Sequence, residues 1–247
     1  MSGASLPRSF ATGDPRRTPA PSEQLEQSLV ERYAQMAHSF QARPIDRALR
    51  VLDVAFAVVG LVGGTPVMAA AAMALRLGGR GPILYRGQRV GRSGRVFDML
   101  KFRTLAPDAE TRLGPYLGPE LTQLTSGEVT RLGRVLRATK VDELPQLWNV
   151  LRGDMSMVGP RPIRPAFFEQ LCLEIPEYWQ RLVVPPGVTG LAQLRLTREM
   201  SWSEKLAHDF EYIADRSVRL YLFVIATTVW LLVSHPFLAQ VRDYRLP

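Results

Sequence analysis

The chain has 247 residues, a formal charge of +8 and a sequence pI near 10.1. That is enough for one domain with an appendage, and it calls for an anionic partner: nucleic acid, a phosphorylated substrate or lipid headgroups. One cysteine, Cys172, excludes an internal disulfide framework and reads as a small core residue in a reducing compartment. Three scattered histidines, His38, His208 and His235, give a zinc site little support.

Residues 1 to about 21 are rich in Ser, Pro, Arg and Gly and carry no secretory signal pattern, so 1–42 reads as a disordered or loosely helical tail. From Val51 to Leu77 the chain is almost wholly apolar, long enough as a straight helix to cross a ~30 Å hydrocarbon core. Gly63-Gly64-Thr65-Pro66 lies at its middle. Pro66 lacks an N–H and crowds the preceding turn, so a kink or break is expected there, with the Thr65 hydroxyl bonding a freed carbonyl. Arg43, Arg47 and Arg50 precede the run, and Arg76, Arg80, Arg86 and Arg89 follow it. Basic residues prefer the cytoplasmic side, so both ends belong on one side. The expectation over 43–80 is a re-entrant helix-break-helix, ahead of a kinked span or a buried core helix. Asp53 is expected to cap the run or pair with a basic neighbour.

Ile83-Leu84-Tyr85 and Val96 to Leu100 flank Gly91-Arg92-Ser93-Gly94, which reads as a β-hairpin. Arg76, Arg80, Arg92 and Arg95 suit a collar against anionic lipid. Lys101 and Arg103, sharing a strand face, suit a diphosphate clamp. Arg134 and Arg137 fall on a helix expected over Val129 to Ala138, and Arg137 is close enough in sequence to turn back toward Asp142.

In Lys140 to Gly153, Leu144, Leu147, Trp148 and Leu151 fall on one helix face, with Pro145 in the first turn and Gly153 as the stop. The adjacent carboxylates Asp142 and Glu143 then stand at the positive end of a helix dipole. That position and the neighbouring arginines favour the anionic form and a low pKa for Asp142. An acid there is either an ordinary N-cap or a nucleophile toward phosphorus. Further on, Val158-Gly159-Pro160-Arg161-Pro162-Ile163-Arg164-Pro165 presents Arg161 on a stiff segment, which suits a preorganised anion contact. Val218 to Val233 is a shorter apolar stretch that reads as an interfacial helix or one packed on the domain.

These elements give an α+β fold, mostly helical. A membrane helix-break-helix (43–80) leads into a cytoplasmic catalytic domain with a β-hairpin (81–217), then an interfacial C-terminal helix and tail (218–247).

Taken together, the ordered blocks resemble the bacterial sugar transferase family, the monotopic phosphoglycosyl transferases. They are Arg50 to Leu77 with Asp53 and Pro66, Gly87 to Gly91, Lys101-Phe102-Arg103-Thr104, Leu132-Gly133-Arg134 and Asp142 to Val150. They continue with Gly153 to Ser156, Val158 to Pro162, Pro186 to Gln193 and Ser201-Trp202. The resemblance covers roughly residues 45 to 235. It implies an enzyme on the cytoplasmic face of a bacterial inner membrane that moves a sugar 1-phosphate from a UDP-sugar to polyprenyl phosphate, usually undecaprenyl phosphate, and releases UMP. It implies a start to exopolysaccharide, capsule or O-antigen synthesis. By position it makes Asp142 the nucleophile and Glu143 the second acid, tied to a Mg²⁺ site shared with Asp142 or to proton handling. Lys101, Arg137 and Arg161 match residues that hold phosphate, and Thr65-Pro66 match the membrane break, with Thr65 where the family commonly has serine. The family arginine that follows the Ala-Gln segment falls at Thr197, beside Arg198. The family's interfacial helices leave a homodimer open.

Two other classes compete. A nucleic-acid-binding module accounts for the charge, but aromatic and basic residues interleave sparsely and the apolar run has no use there, so nucleic acid is not an expected partner. A non-catalytic membrane scaffold keeps the anchor and leaves Asp142-Glu143 without a role.

Overall fold

The computed structural model describes residues 43–79, 81–107, 109, 127–195 and 200–234. The expectations for the N-terminal tail, for Arg80, for Thr197 and Arg198, and for the tail after 234 lie outside the described residues.

Helix α1 runs from Pro44 to Leu77 as one continuous helix. Arg43 caps it, its backbone N–H donating to Asp46 Oδ2 at 2.8 Å, and Pro44 takes the first-turn position where no N–H is needed. The expected break at Pro66 is not seen: the helix runs through Pro66, which lies at an exposed position. Thr65 Oγ1 donates to the Leu61 carbonyl at 2.6 Å, adding a hydroxyl bond in the turn that Pro66 weakens.

One stripe of α1 faces the rest of the domain along its whole length. Leu49, Asp53, Ala57, Ala71 and Leu75 are buried, Gly60 lies against Leu147, Gly64 against Leu144, and Met68 packs with Ala71. These positions recur in steps of three and four, which is one face of an α-helix. The opposite side is apolar and exposed, with Val59 at 70%, Val62 at 71% and Leu77 at 81%.

Strands β1 (Leu84–Val90) and β2 (Val96–Phe102) form the expected hairpin, antiparallel, with Tyr85 opposite Lys101 and Val90 opposite Val96. After it come α2 (Arg131–Ala138), a 3₁₀ turn at Val141–Glu143 and α3 (Gln146–Arg152). Strand β3 (Ser156–Val158) pairs in parallel with β4 (Gly187–Thr189), a small sheet not expected from the sequence. Between them lie α4 (Pro165–Glu174) and a 3₁₀ segment, Pro176–Val183; after them come α5 (Leu191–Arg195), α6 (Trp202–Asp215) and α7 (Val218–Ser234). The mostly helical α+β reading holds. Helix α7 packs Tyr221 and Val224 into the core beside Leu49, while Phe223, Trp230 and Val233 stay exposed.

Asp53 does not cap α1 or pair with an arginine. It is 4% exposed, and its Oδ1 accepts from Ser156 Oγ at 2.8 Å, Met157 N at 2.7 Å and Tyr221 OH at 2.7 Å. One carboxylate oxygen thereby ties α1 to β3 and to α7. Three bonds to one charged group offset the cost of burying it. Arg50, one turn earlier, donates to the carbonyls of Val150 and Leu151 at the end of α3, satisfying acceptors that a helix C-terminus leaves open.

Candidate active site

The Asp142-Glu143 pair does not begin an α-helix. It occupies the 3₁₀ turn, and α3 starts only after Pro145. Lys140 precedes it at φ 58°, ψ 13°, a left-handed conformation that costs a non-glycine residue about 1 kcal/mol. Backbone bonds from Lys140 N to the Arg137 carbonyl and from Glu143 N to the Lys140 carbonyl hold the reversal. The turn ends α2 and swings both acids toward β2.

Each cation is placed by a polar contact that hydrophobic spacing does not reveal. Lys101 lies on β2, beside a backbone that α3 grips through Asn149. Asn149 Oδ1 accepts from Leu100 N at 2.9 Å, and its Nδ2 donates to the Asp98 carbonyl at 2.8 Å. Lys101 Nζ then reaches Glu143 Oε1 at 2.8 Å. The buried face of α3 is accordingly Gln146, Leu147, Asn149 and Val150, rotated from the expected face, and Trp148 is 52% exposed. Arg137, on the last turn of α2, donates from Nε to Thr104 Oγ1 at 2.9 Å. Gly133 lets α2 approach Thr104, since a side chain there would strike the Thr104 backbone. Arg161 is positioned from behind: its carbonyl accepts from Arg181 Nη2 at 3.0 Å, and Arg181 forms a buried ion pair with Asp209 of α6 at 2.7 Å.

The charges of Lys101, Lys140 and Arg137 act on Asp142, and those of Lys101, Lys140 and Arg161 on Glu143. The structure thus gathers Lys101, Arg137 and Arg161 around the acid pair and adds Lys140, which sequence reasoning passed over. Lys140 stands two residues before Asp142, so the signal was in plain view. Arg103 follows β2, two residues after Lys101, and its guanidinium lies against Gly81.

The two acids are electrostatically unequal. Burial, then the neighbouring Glu143 charge, pushes Asp142 up to about 6, against the pull of Lys101, Lys140 and Arg137. The low value expected for Asp142 is therefore corrected: no α-helix begins at the acid, it is 6% exposed, and a second carboxylate adjoins it. Glu143 goes the other way. Burial alone would raise it, but the Lys101 ammonium, with Lys140 and Arg161, holds it down at about 2. Asp142 Oδ1 is buried and has no hydrogen-bond partner among the described residues. An unmet buried acceptor is costly unless a ligand completes it.

Among the described residues no three His, Cys, Asp or Glu side chains gather as a metal site. A Mg²⁺ ion does not need them, because it binds through one or two carboxylates plus substrate phosphates and water. The open Asp142 oxygen beside Glu143 fits that donor set.

Residues 45–235 match the family model described as bacterial sugar transferase. The chain is 41% identical over 192 residues to the UDP-glucose:undecaprenyl-phosphate glucose-1-phosphate transferase of Caulobacter vibrioides, covering 75% of this chain and 69% of that protein. It is 36% identical over 183 residues to the UDP-N-acetylgalactosamine-undecaprenyl-phosphate N-acetylgalactosaminephosphotransferase of Aeromonas hydrophila, covering 73% of this chain and 42% of that one. Over 133 residues it is 44% identical to the putative undecaprenyl-phosphate N-acetylgalactosaminyl 1-phosphate transferase of Bacillus subtilis, covering 54% of this chain and 72% of that protein. With its acid turn, its converging cations and a family match over most of its length, this chain belongs to the bacterial sugar transferases and is an enzyme of the phosphoglycosyl transferase class.

Proposed function

We propose that this enzyme transfers a hexose 1-phosphate from a UDP-sugar to undecaprenyl or a related polyprenyl phosphate, through a covalent sugar-phosphate ester of Asp142, and so starts a surface glycan. The observation that carries the reading is the unpartnered Asp142 oxygen set among Lys101, Arg137 and Lys140. The Asp142 carboxylate attacks the β-phosphorus of the UDP-sugar, the bond to the bridging oxygen breaks, and UMP leaves with the electron pair. A phosphate oxygen of the lipid then attacks the acyl phosphate, and Asp142 leaves as carboxylate. Lys101, Arg137, Lys140 and Arg161 neutralise diphosphate oxygens that would otherwise repel an incoming anion. Glu143, locked to Lys101, stays ionised and holds that ammonium in place. Asp142 and Glu143 are the groups that would hold Mg²⁺, which when bound supplies further charge neutralisation at the phosphates.

The anchor is α1. Its length and hydropathy suffice to cross a membrane. Its domain-facing stripe, however, runs from Leu49 to Leu75, roughly 39 Å at ~1.5 Å per residue. A perpendicular crossing would carry the attached acid turn and Lys101 into hydrocarbon, where charges are costly. That argues for an enzyme seated in one leaflet on the cytoplasmic face of a bacterial inner membrane. The exposed apolar side of α1, with Phe223, Trp230 and Trp148, then meets lipid, and both termini of the helix face one compartment. The expected topology is single-sided labelling of cysteines placed at Arg43 and Arg80 in a Cys172→Ser background; labelling from opposite faces refutes it.

Activity is tested with purified enzyme, undecaprenyl phosphate, Mg²⁺ and a panel of UDP-sugars. UMP release with one sugar, and a phosphohexose adduct on the intact enzyme, support the reading. Undiminished release from Asp142→Asn defeats it.

A further inference from the structure

A second group of cations stands apart from the acid turn, on a platform with its own core. Val90 of β1 and Ile163 are joined by an antiparallel bridge, Val90 N donating to the Ile163 carbonyl at 2.9 Å. Both side chains are buried in a cluster that also holds Leu206 of α6 and packs Trp202. One step out from each of these anchors stands a cation: Arg89 before Val90, Arg164 after Ile163 and Lys205 before Leu206. Arg161 lies two residues from Ile163, its carbonyl fixed by the buried Arg181.

Neighbouring strands do not normally set like charges against each other, because the repulsion is destabilising. Here Arg89 and Arg164 flank the same bridge, and no carboxylate forms an ion pair with Arg89, Arg161 or Lys205 among the described residues. Arg89 Nη1 donates to the Gln88 carbonyl at 2.6 Å, and its side chain also hydrogen-bonds Tyr85. Lys205 Nζ sits 4.2 Å from the centroid of the Trp202 ring, which is in turn braced edge-on by Phe167 at 5.0 Å. The crowding registers in the titration of the group. Burial, with Arg164 and Arg161, depresses the Arg89 guanidinium against the pull of Tyr85; burial and then Arg161 depress Lys205 against Glu204. Guanidinium and ammonium groups brought together on a rigid support are complementary to a multiply charged anion.

We propose that Arg89, Arg161 and Lys205 form a phosphate-binding subsite distinct from the Lys101–Arg137–Lys140 group at Asp142. It rests on the reaction proposed above, which brings two phosphorylated substrates to one enzyme. Arg161, whose charge also acts on Glu143, is the shared edge of the two groups. The ligand is the phosphate of either the polyprenyl acceptor or the sugar nucleotide.

The test separates the half-reactions in the full-length enzyme. UMP release from UDP-sugar without lipid reports the first; discharge of the isolated phosphosugar-enzyme by undecaprenyl phosphate reports the second. Arg89→Gln and Lys205→Gln are each expected to raise the half-saturating substrate concentration about tenfold in one half-reaction. Arg89→Lys and Lys205→Arg should recover most of that loss. A rise confined to the first half assigns the nucleotide phosphate, and one confined to the second assigns the lipid phosphate. Wild-type half-saturation in both halves, in variants with wild-type melting temperatures, overturns the subsite. Lys205, half-buried on the Trp202 ring, keeps the test open if the Arg89 variant does not fold. Should the wild type form no phosphosugar adduct, the catalytic reading fails by itself. Calorimetry with inorganic pyrophosphate then decides the subsite: weaker binding by Arg89→Gln and Lys205→Gln than by wild type supports it, and equal binding overturns it.

Discussion

Two aspartates in this molecule are buried to nearly the same degree, Asp53 at 4% and Asp142 at 6% exposure, yet their surroundings are opposite. One oxygen of Asp53 receives three hydrogen bonds from two other elements, β3 and α7, whereas Asp142 keeps an oxygen with none among the described residues. The first is what a buried carboxylate needs in order to stabilise a fold. The second is a local cost that the rest of the structure sustains, as expected where a ligand or reacting atom is to be received. Burial alone therefore does not distinguish the two aspartates; the unmet hydrogen-bonding capacity does, and it supports the role proposed for Asp142.

The sharpest way to break this contrast is to neutralise each acid in turn. Asp142→Asn removes the proposed nucleophile while keeping size and shape, so UMP release should fall on the order of 10⁴-fold. Thermal melting should be retained or improved. A variant that melts early but still releases UMP would reverse the assignment. Asp53→Ala should do the opposite to stability. It orphans the Ser156 hydroxyl, the Met157 N–H and the Tyr221 hydroxyl at the junction of α1, β3 and α7, at a cost of about 3–5 kcal/mol by chemical denaturation in detergent. An Asp53→Ala enzyme as stable as wild type would remove the latch from the account.

The pH dependence sharpens the same comparison. The Asp142 value of about 6 stands above its ordinary 3.8, so the folded state holds that proton more tightly than the unfolded chain does. Its contribution to stability is fully present below about pH 4 and is lost as pH rises through 6. The stability of Asp142→Asn relative to wild type should accordingly climb between pH 4 and 6 and level off above, by up to about 3 kcal/mol. Glu143, held at about 2, runs the other way, but it is common to both proteins and largely cancels. Because attack requires the anion, kcat/KM for the UDP-sugar should drop about tenfold per unit below pH 6. A flat profile from pH 5 to 8 would dissociate Asp142 from the chemistry.

What the sequence disclosed and what it withheld divide along similar lines. Apolar spacing found α1, the hairpin and α7, because burying a stripe or a strand pair is a local, periodic requirement. It expected a kink or break at Pro66, whereas the helix continues through that exposed proline and its packed stripe extends from Leu49 to Leu75. It also misread the inward face of α3. A buried Asn149 serving the β2 backbone overrides the rule that apolar residues face in, so Trp148 turns outward. The site was legible as residue types. Asp142, Glu143, Lys101, Arg137 and Arg161 were named from local pattern and from the family resemblance, and the charges of the three cations act on the acid pair. The raised Asp142 value was not legible, since desolvation depends on tertiary burial, nor was Lys140, whose left-handed backbone has no periodic signature.

Lys140 supplies the smallest and most discriminating expectation. At φ 58° a glycine carries no side-chain penalty, so Lys140→Gly should stabilise the fold slightly, by about 1 kcal/mol or less, offset in part by the greater freedom of glycine when unfolded. The same change deletes an ammonium whose charge acts on both acids. The half-saturating UDP-sugar concentration should therefore rise, by roughly fivefold to tenfold. Asp142, relieved of one neighbouring positive charge, should titrate higher still, moving the acid limb of the kcat/KM profile to higher pH. A residue with a purely conformational role would gain the stability and leave the profile where it was. On the proposed reaction, a left-handed lysine where glycine would carry no strain is accounted for by the cation it places at the turn.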